Sequence, residues 1–119
     1  MKKKKIAALD LDQIPDGTMQ AVRVGRRNLL MVRQGHQVYA LRNICAHQGA
    51  RISDGVLTCT RRGGHVGEYV EEKAGRIIRC PWHNWEYDAV DGSALHDPKH
   101  TRVASYQTVV EDGKVWVMV

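Results

Sequence analysis

Residues 106–119 read Tyr106-Gln107-Thr108-Val109-Val110-Glu111-Asp112-Gly113-Lys114-Val115-Trp116-Val117-Met118-Val119. Two runs rich in β-branched and aromatic residues flank an Asp-Gly pair. That dipeptide tolerates two successive positive φ angles, so the segment is expected to be a β-hairpin closed by a two-residue turn. The same rhythm extends back along the chain. Short apolar-alternating runs recur at Lys5–Leu11, Thr18–Val24, Leu29–Arg33, Gln37–Arg42, Gly75–Arg79, Thr101–Val110 and Lys114–Val119. Between them stand the turn signals Asp16-Gly17, Gly25, Gln34-Gly35 and Asp91-Gly92. No window keeps a helical period beyond one or two turns, and Leu11–Ile14 before Pro15 is the best short one. The pattern predicts an all-β, antiparallel fold.

Composition fixes the class. A chain of 119 residues with 43% hydrophobic and 26% charged residues is long enough for one domain with its own core and too apolar for disorder. Eighteen Lys and Arg against 13 Asp and Glu give a net charge of +5, short of the concentrated charge of a dedicated nucleic-acid binder. The three cysteines are too few, and odd in number, for a secreted disulfide scaffold, and point to metal or redox chemistry in a reducing compartment. In the opening MKKKKIAALDLD the apolar stretch Ile6–Leu9 is too short for a signal peptide, and nothing approaches a membrane-spanning run. A cytoplasmic location is the expectation, with Lys2–Lys5 as a solvated, frayed terminus.

Two stretches, 43–55 and 80–93, break the strand rhythm and are expected to be ordered loops. The first holds Cys45-Ala46-His47-Gln48-Gly49-Ala50; the second holds Cys80-Pro81-Trp82-His83-Asn84-Trp85-Glu86-Tyr87-Asp88. Each offers one thiol and one imidazole at short separation. Two Cys and two His suit zinc, or a 2Fe–2S cluster with Cys on one iron and His on the other. Zinc fingers usually pair Cys with Cys and His with His. Here each loop supplies one of each, an interleaving that lets both loops span two metals.

Cys-x-His followed by Cys-Pro-Trp-His and Trp-x-Tyr-Asp resembles the Rieske iron–sulfur signature. The resemblance covers most of the chain and implies a Rieske-like antiparallel β-sandwich with a small cluster-binding subdomain made of the two loops. It implies one 2Fe–2S cluster per chain, with Cys45 and Cys80 on one iron and His47 and His83 on the other. It further implies a single domain over 1–119, with an inserted hairpin at about 56–76 lengthening the stretch between His47 and Cys80. Respiratory Rieske proteins carry an extra Cys in each loop. Ala50 and Trp82 stand at those places, so the bracing disulfide is absent, and Trp85 replaces a serine that donates to the cluster. With fewer donors to the sulfurs, the potential belongs at the low end of the Rieske range of about −150 to +300 mV, although the Tyr87 hydroxyl can still reach a Cys sulfur. Asn84, at a position usually held by Gly, is the non-glycine residue best suited to left-handed backbone.

The function implied is that of a Rieske-type ferredoxin, a one-electron carrier between a flavin reductase and a terminal oxygenase, monomeric and docking at the cluster tip. The chain has no room for a catalytic mononuclear-iron domain, so it is no enzyme by itself. The alternatives are a small Rieske subunit of a nitrite-reductase-like oxidoreductase and a zinc-stabilised structural module. Cys59 is expected to be a small buried bystander, His36, His65, His96 and His100 to be ordinary surface or hydrogen-bonded residues, and Trp116 to be core or half-buried. Arg51, Arg79 and Gln48 lie beside the proposed ligands, where they can set local charge.

Overall fold

The computed structural model describes residues 4–46, 49–63, 69–81 and 85–119, and of 59–63 and 69–75 the backbone alone. Its strands are β1 (Lys5–Asp10), β2 (Met19–Val24), β3 (Arg27–Gln34), β4 (Gln37–Arg42), β5 (Val56–Gly63), β6 (Tyr69–Arg79), β7 (Glu86–Asp88), β8 (Ser105–Tyr106), β9 (Thr108–Glu111) and β10 (Lys114–Met118). They form three sheets, ordered β1-β10-β9, β2-β3-β4-β8 and β5-β6-β7, with every pairing antiparallel. Helical structure among the described residues is limited to single 3-10 turns at Leu11–Gln13 and Ile52–Asp54. The all-β, antiparallel expectation holds.

The middle sheet organises the core. Successive side chains of a strand point to opposite faces, and in β3 Leu29, Leu30, Met31 and Val32 are all fully buried. Leu29 and Met31 join Leu11, Ile14, Val38, Val115 and Val117 on the side of the first sheet. Leu30 and Val32 join Leu41, Ile52, Ile78, Cys45, Cys80 and Tyr87 on the other. A strand apolar on both faces is the mark of a central layer, and here it places the two loop cysteines inside a packed core.

The hairpin expected over 106–119 is present, with Asp112 at φ 53° and Gly113 at φ 73°, the two positive angles its turn needs. Three expectations need correction. The run Thr101–Val110 is not one strand. Residues 101–104 run irregularly apart from a bridge from Arg102 to Ser93, Tyr106 pairs with Ala40 of the middle sheet, and Gln107 then accepts from Met118 in the first. The segment crosses between sheets, and a strand that changes partners must break its ladder. The loops 43–55 and 80–93 are not wholly loop, because the first contains the turn Ile52–Asp54 and the second contains β7. Lys4 and Lys5 are not frayed: the Lys4 N–H donates to the Val119 carbonyl at 2.8 Å, and Lys5 lies 2.8 Å from Glu111 and 5.1 Å over the Trp116 ring. The last strand needs a partner along its outer edge, and the chain's beginning supplies it. Trp116 is half-buried.

Candidate metal centre

Loop one leaves β4 and folds back at once. The Cys45 N–H donates to the Ala50 carbonyl at 2.7 Å, and the Gly49 N–H donates to the Cys45 carbonyl at 3.0 Å. Gly49 sits at φ 73°, a left-handed angle that a side chain makes costly. A reciprocal pair clamps the loop at its base. The buried Asn43 donates from Nδ2 to Ser53 Oγ at 2.8 Å and accepts from the Ser53 N–H at 2.9 Å. Loop two is tied likewise, the Cys80 N–H donating to the Trp85 carbonyl at 2.6 Å.

Cys45 and Cys80 are both buried, at 3% and 1% exposure, and form no disulfide. Tyr87 on β7 is fully buried and brings the loops together. Its hydroxyl lies 3.2 Å from Cys45 Sγ and accepts from the Ala46 N–H at 3.1 Å. With that N–H on one lone pair of the phenol oxygen, the phenolic proton is free to point to the sulfur, and with Cys45 as a thiolate the hydroxyl is the donor. Burial raises the Tyr87 pKa well above its ordinary value, and the hydrogen bond with Cys45 and the charges of both cysteines push it further, so the group stays a donor.

Below Tyr87, Asp88 holds the strand in place. Its carboxylate, only 7% exposed, takes two hydrogen bonds from Arg76 at 3.0 and 2.9 Å and a third from the Val90 N–H at 3.0 Å. The bond to Asp88 raises the Arg76 pKa further above its already high value. The Arg76–Asp88 pair and the Asn43–Ser53 clamp were missed from sequence. The one available cue was Asp88 preceding the Asp91-Gly92 turn, since an Asp there commonly caps backbone N–H groups.

The structure thus brings Cys45, Cys80 and Tyr87 together. His47 and His83 lie outside the described residues, as do Gln48, Trp82, Asn84, His65 and the side chain of Cys59. Arg79 is 3.5 Å from Glu86, and Arg51 is exposed at the start of the 3-10 turn Ile52–Asp54. His36 is exposed, His100 lies 3.0 Å from Asp97, and His96 packs edge-on against Trp85 with ring centres 4.3 Å apart. Two buried thiols from separate loops, one of them beside a hydroxyl donor, packed amid Leu, Ile and Val, suit an iron–sulfur group. Thiolates are its ligands, a donor to sulfur tunes it, and apolar walls keep water away.

Two predictions arise here. Tyr87→Phe removes the donor to Cys45 and leaves the Ala46 N–H without its acceptor. It is expected to cost about 1–3 kcal/mol of stability, read from the denaturant midpoint, and to lower the reduction potential, read by redox titration. A potential that stays put or rises would mean that the hydroxyl does not serve the sulfur. Arg76→Met strands the Asp88 carboxylate and should cost about 1–3 kcal/mol, less than a fully buried pair because the Arg76 side chain is 32% exposed. Adding Asp88→Asn should recover part of that loss, and a double-mutant cycle with no coupling would refute the account.

Comparison with known proteins gives this arrangement its class. Residues 4–107 match the family described as Rieske [2Fe-2S] domain. The chain belongs to that family. The ferredoxin component of a naphthalene 1,2-dioxygenase system from Pseudomonas aeruginosa is 31% identical over 117 residues, covering 98% of this chain and 97% of that protein. The ferredoxin component of naphthalene 1,2-dioxygenase/salicylate 5-hydroxylase systems from Ralstonia sp is 30% identical over 115 residues, covering 97% and 95%. Among solved structures, the ferredoxin of carbazole 1,9a-dioxygenase from Nocardioides aromaticivorans IC177 superposes with a TM-score of 0.75 at 27% identity, covering 96% of each chain. The chain is therefore a ferredoxin of the Rieske type, an electron carrier and not an enzyme in itself, and its cofactor is the Rieske [2Fe–2S] cluster. No helix among the described residues is long and apolar enough to cross a membrane.

Proposed function

We propose that this ferredoxin takes single electrons from a flavin-dependent reductase and delivers them to a terminal oxygenase. In this reading Cys45 and Cys80 hold one iron and His47 and His83 the other. The observation that carries it is the burial of two thiols, one from each Cys-His loop, in one core cluster with Tyr87, whose hydroxyl lies 3.2 Å from Cys45 Sγ. The names of the related proteins, ferredoxin components of dioxygenase systems, support the oxygenase side of this reading. When bound, the cluster supplies reversible one-electron chemistry. The chain's own residues have plainer tasks: Cys45 and Cys80 bind, Tyr87 donates, and Ile52, Ile78 and Leu41 exclude water.

The whole chain is read as one Rieske domain. Residues 43–55 and 80–93 are its cluster-binding loops, and the hairpin at about 56–76 is an addition to the basic fold. The cytoplasm is its place of work, where thiols stay reduced. EPR of the dithionite-reduced protein, with an iron and acid-labile sulfide count, tests the ligand reading. Two irons and two sulfides per chain with a Rieske-type signal are expected. A colourless, zinc-containing, EPR-silent sample would overturn it. Stopped-flow mixing of the reduced protein with a purified oxygenase of the family tests the carrier role, and no reoxidation by any such partner would count against it.

A further inference from the structure

A hollow of about 470 Å³ opens on the flank of loop one, where the turn between β2 and β3 meets the exit of β4. Its walls carry Arg26, Arg27 and Arg42 together with Asn28, Asn43 and Tyr106, and no acidic residue lines it. All three arginines are exposed, and among the described residues none of them meets a carboxylate within ion-pair distance. The Arg27 guanidinium stands 5.8 Å over the Tyr106 ring, which limits its freedom and keeps its fork available. A second hollow shares Asn28 and Asn43 and adds Arg23 and Arg51, again without an acidic lining residue. Together the two hollows are lined by five arginines of a chain whose net charge is +5.

We infer that this arginine hollow is a docking seat for an acidic surface segment of the redox partner protein, rather than a site for a small anion. The inference rests on the electron-carrier reading above. Guanidinium forks match carboxylates two hydrogen bonds at a time. In an open hollow a small anion stays in water, where each pair gains little. A protein surface covers the hollow, excludes water from several pairs together, and is steered in by the summed field. The position suits such a partner, because Arg42, Asn43 and Ile44 run directly into Cys45 and a carboxylate seated there rests beside the loop that holds the first cysteine.

The test uses the cluster-loaded full chain and a fluorescently labelled octaglutamate peptide, with an octaglutamine peptide as blank. Two triple variants are compared, R26Q/R27Q/R42Q in the hollow and K4Q/K99Q/K114Q at exposed lysines elsewhere; each lowers the net charge by three. Salt-weakened binding of octaglutamate is expected in the parent chain. The hollow variant should lose about tenfold or more in affinity, and the lysine variant less than about threefold. Equal losses in both variants would reduce the effect to net charge and overturn the inference. So would inorganic pyrophosphate binding that depends on the same arginines while octaglutamate fails to bind, since that describes a small-anion site. The visible spectrum and potential of R26Q/R27Q/R42Q should match the parent, which separates lost docking from a damaged cluster. A missing Rieske signal in the parent chain would instead count against the carrier reading, whatever the peptide does.

Discussion

Cys80→Ser is expected to purify without iron–sulfur absorption, while Cys59→Ser keeps the full spectrum. The two substitutions are chemically identical, so the contrast lies in position. Cys80 is 1% exposed, its N–H is fixed by the Trp85 carbonyl at 2.6 Å, and its charge bears on Tyr87. A serine hydroxyl there does not ionise near neutral pH and is a poor ligand for iron in a sulfur cluster. Cys45→Ser should behave as Cys80→Ser does. At least a tenfold drop in bound iron, measured with the visible spectrum, is the expected size. His83→Cys gives the complementary result: if the variant assembles at all, a fourth thiolate should convert the Rieske-type EPR signal toward that of an all-cysteine ferredoxin. Normal iron content in Cys80→Ser, or an unchanged signal in His83→Cys, would refute the ligand assignment.

What could be read from sequence follows from how local each cause is. Strands and tight turns are set by neighbours, so the pattern over Gln37–Arg42 matches β4 residue for residue, and the Asp112-Gly113 dipeptide alone specifies its turn. The cysteine loops were equally plain, because Cys and His at short spacing are rare outside metal chemistry. Strand β6 was read too short. Its first half, Tyr69-Val70-Glu71-Glu72-Lys73-Ala74, is charged and lacks an apolar face, and it enters the sheet through register instead. Glu71 falls opposite Arg61 and Glu72 opposite Thr60 in the backbone register, a pairing that a search for apolar alternation does not find. The Asn43–Ser53 clamp and the Arg76–Asp88 pair were out of reach for another reason. Each depends on two segments already being folded side by side, and no local propensity announces such a partner.

The joint between the two loops yields the second large effect. Gly55 ends loop one, and a methyl group added there would lie 1.8 Å from the Arg79 carbonyl oxygen and 2.9 Å from its carbon. Its φ of −88° is open to any residue, so the demand for glycine comes from contact and not from backbone angle. Arg79 is the last residue of β6, paired with Val56 and followed directly by Cys80. The obstacle is backbone on both sides and cannot swing away as a side chain could. Gly55→Ala must therefore push the exit of loop one from the entry of loop two, the distance on which joint ligation by Cys45 and Cys80 depends. A loss of about 2–4 kcal/mol is expected, at or above the usual cost of overpacking because main chain has to move. The denaturant midpoint of the apo chain reads that loss separately from the metal, and reduced iron content after reconstitution reads its consequence at the site. Gly17→Ala is the control, since nothing lies within 4 Å of its added methyl and only the strain of φ 77° remains. It should lose about 1 kcal/mol and keep its full complement of iron. If Gly55→Ala bound iron as well as Gly17→Ala does, the close approach of Gly55 to Arg79 would not be what holds the two loops in register.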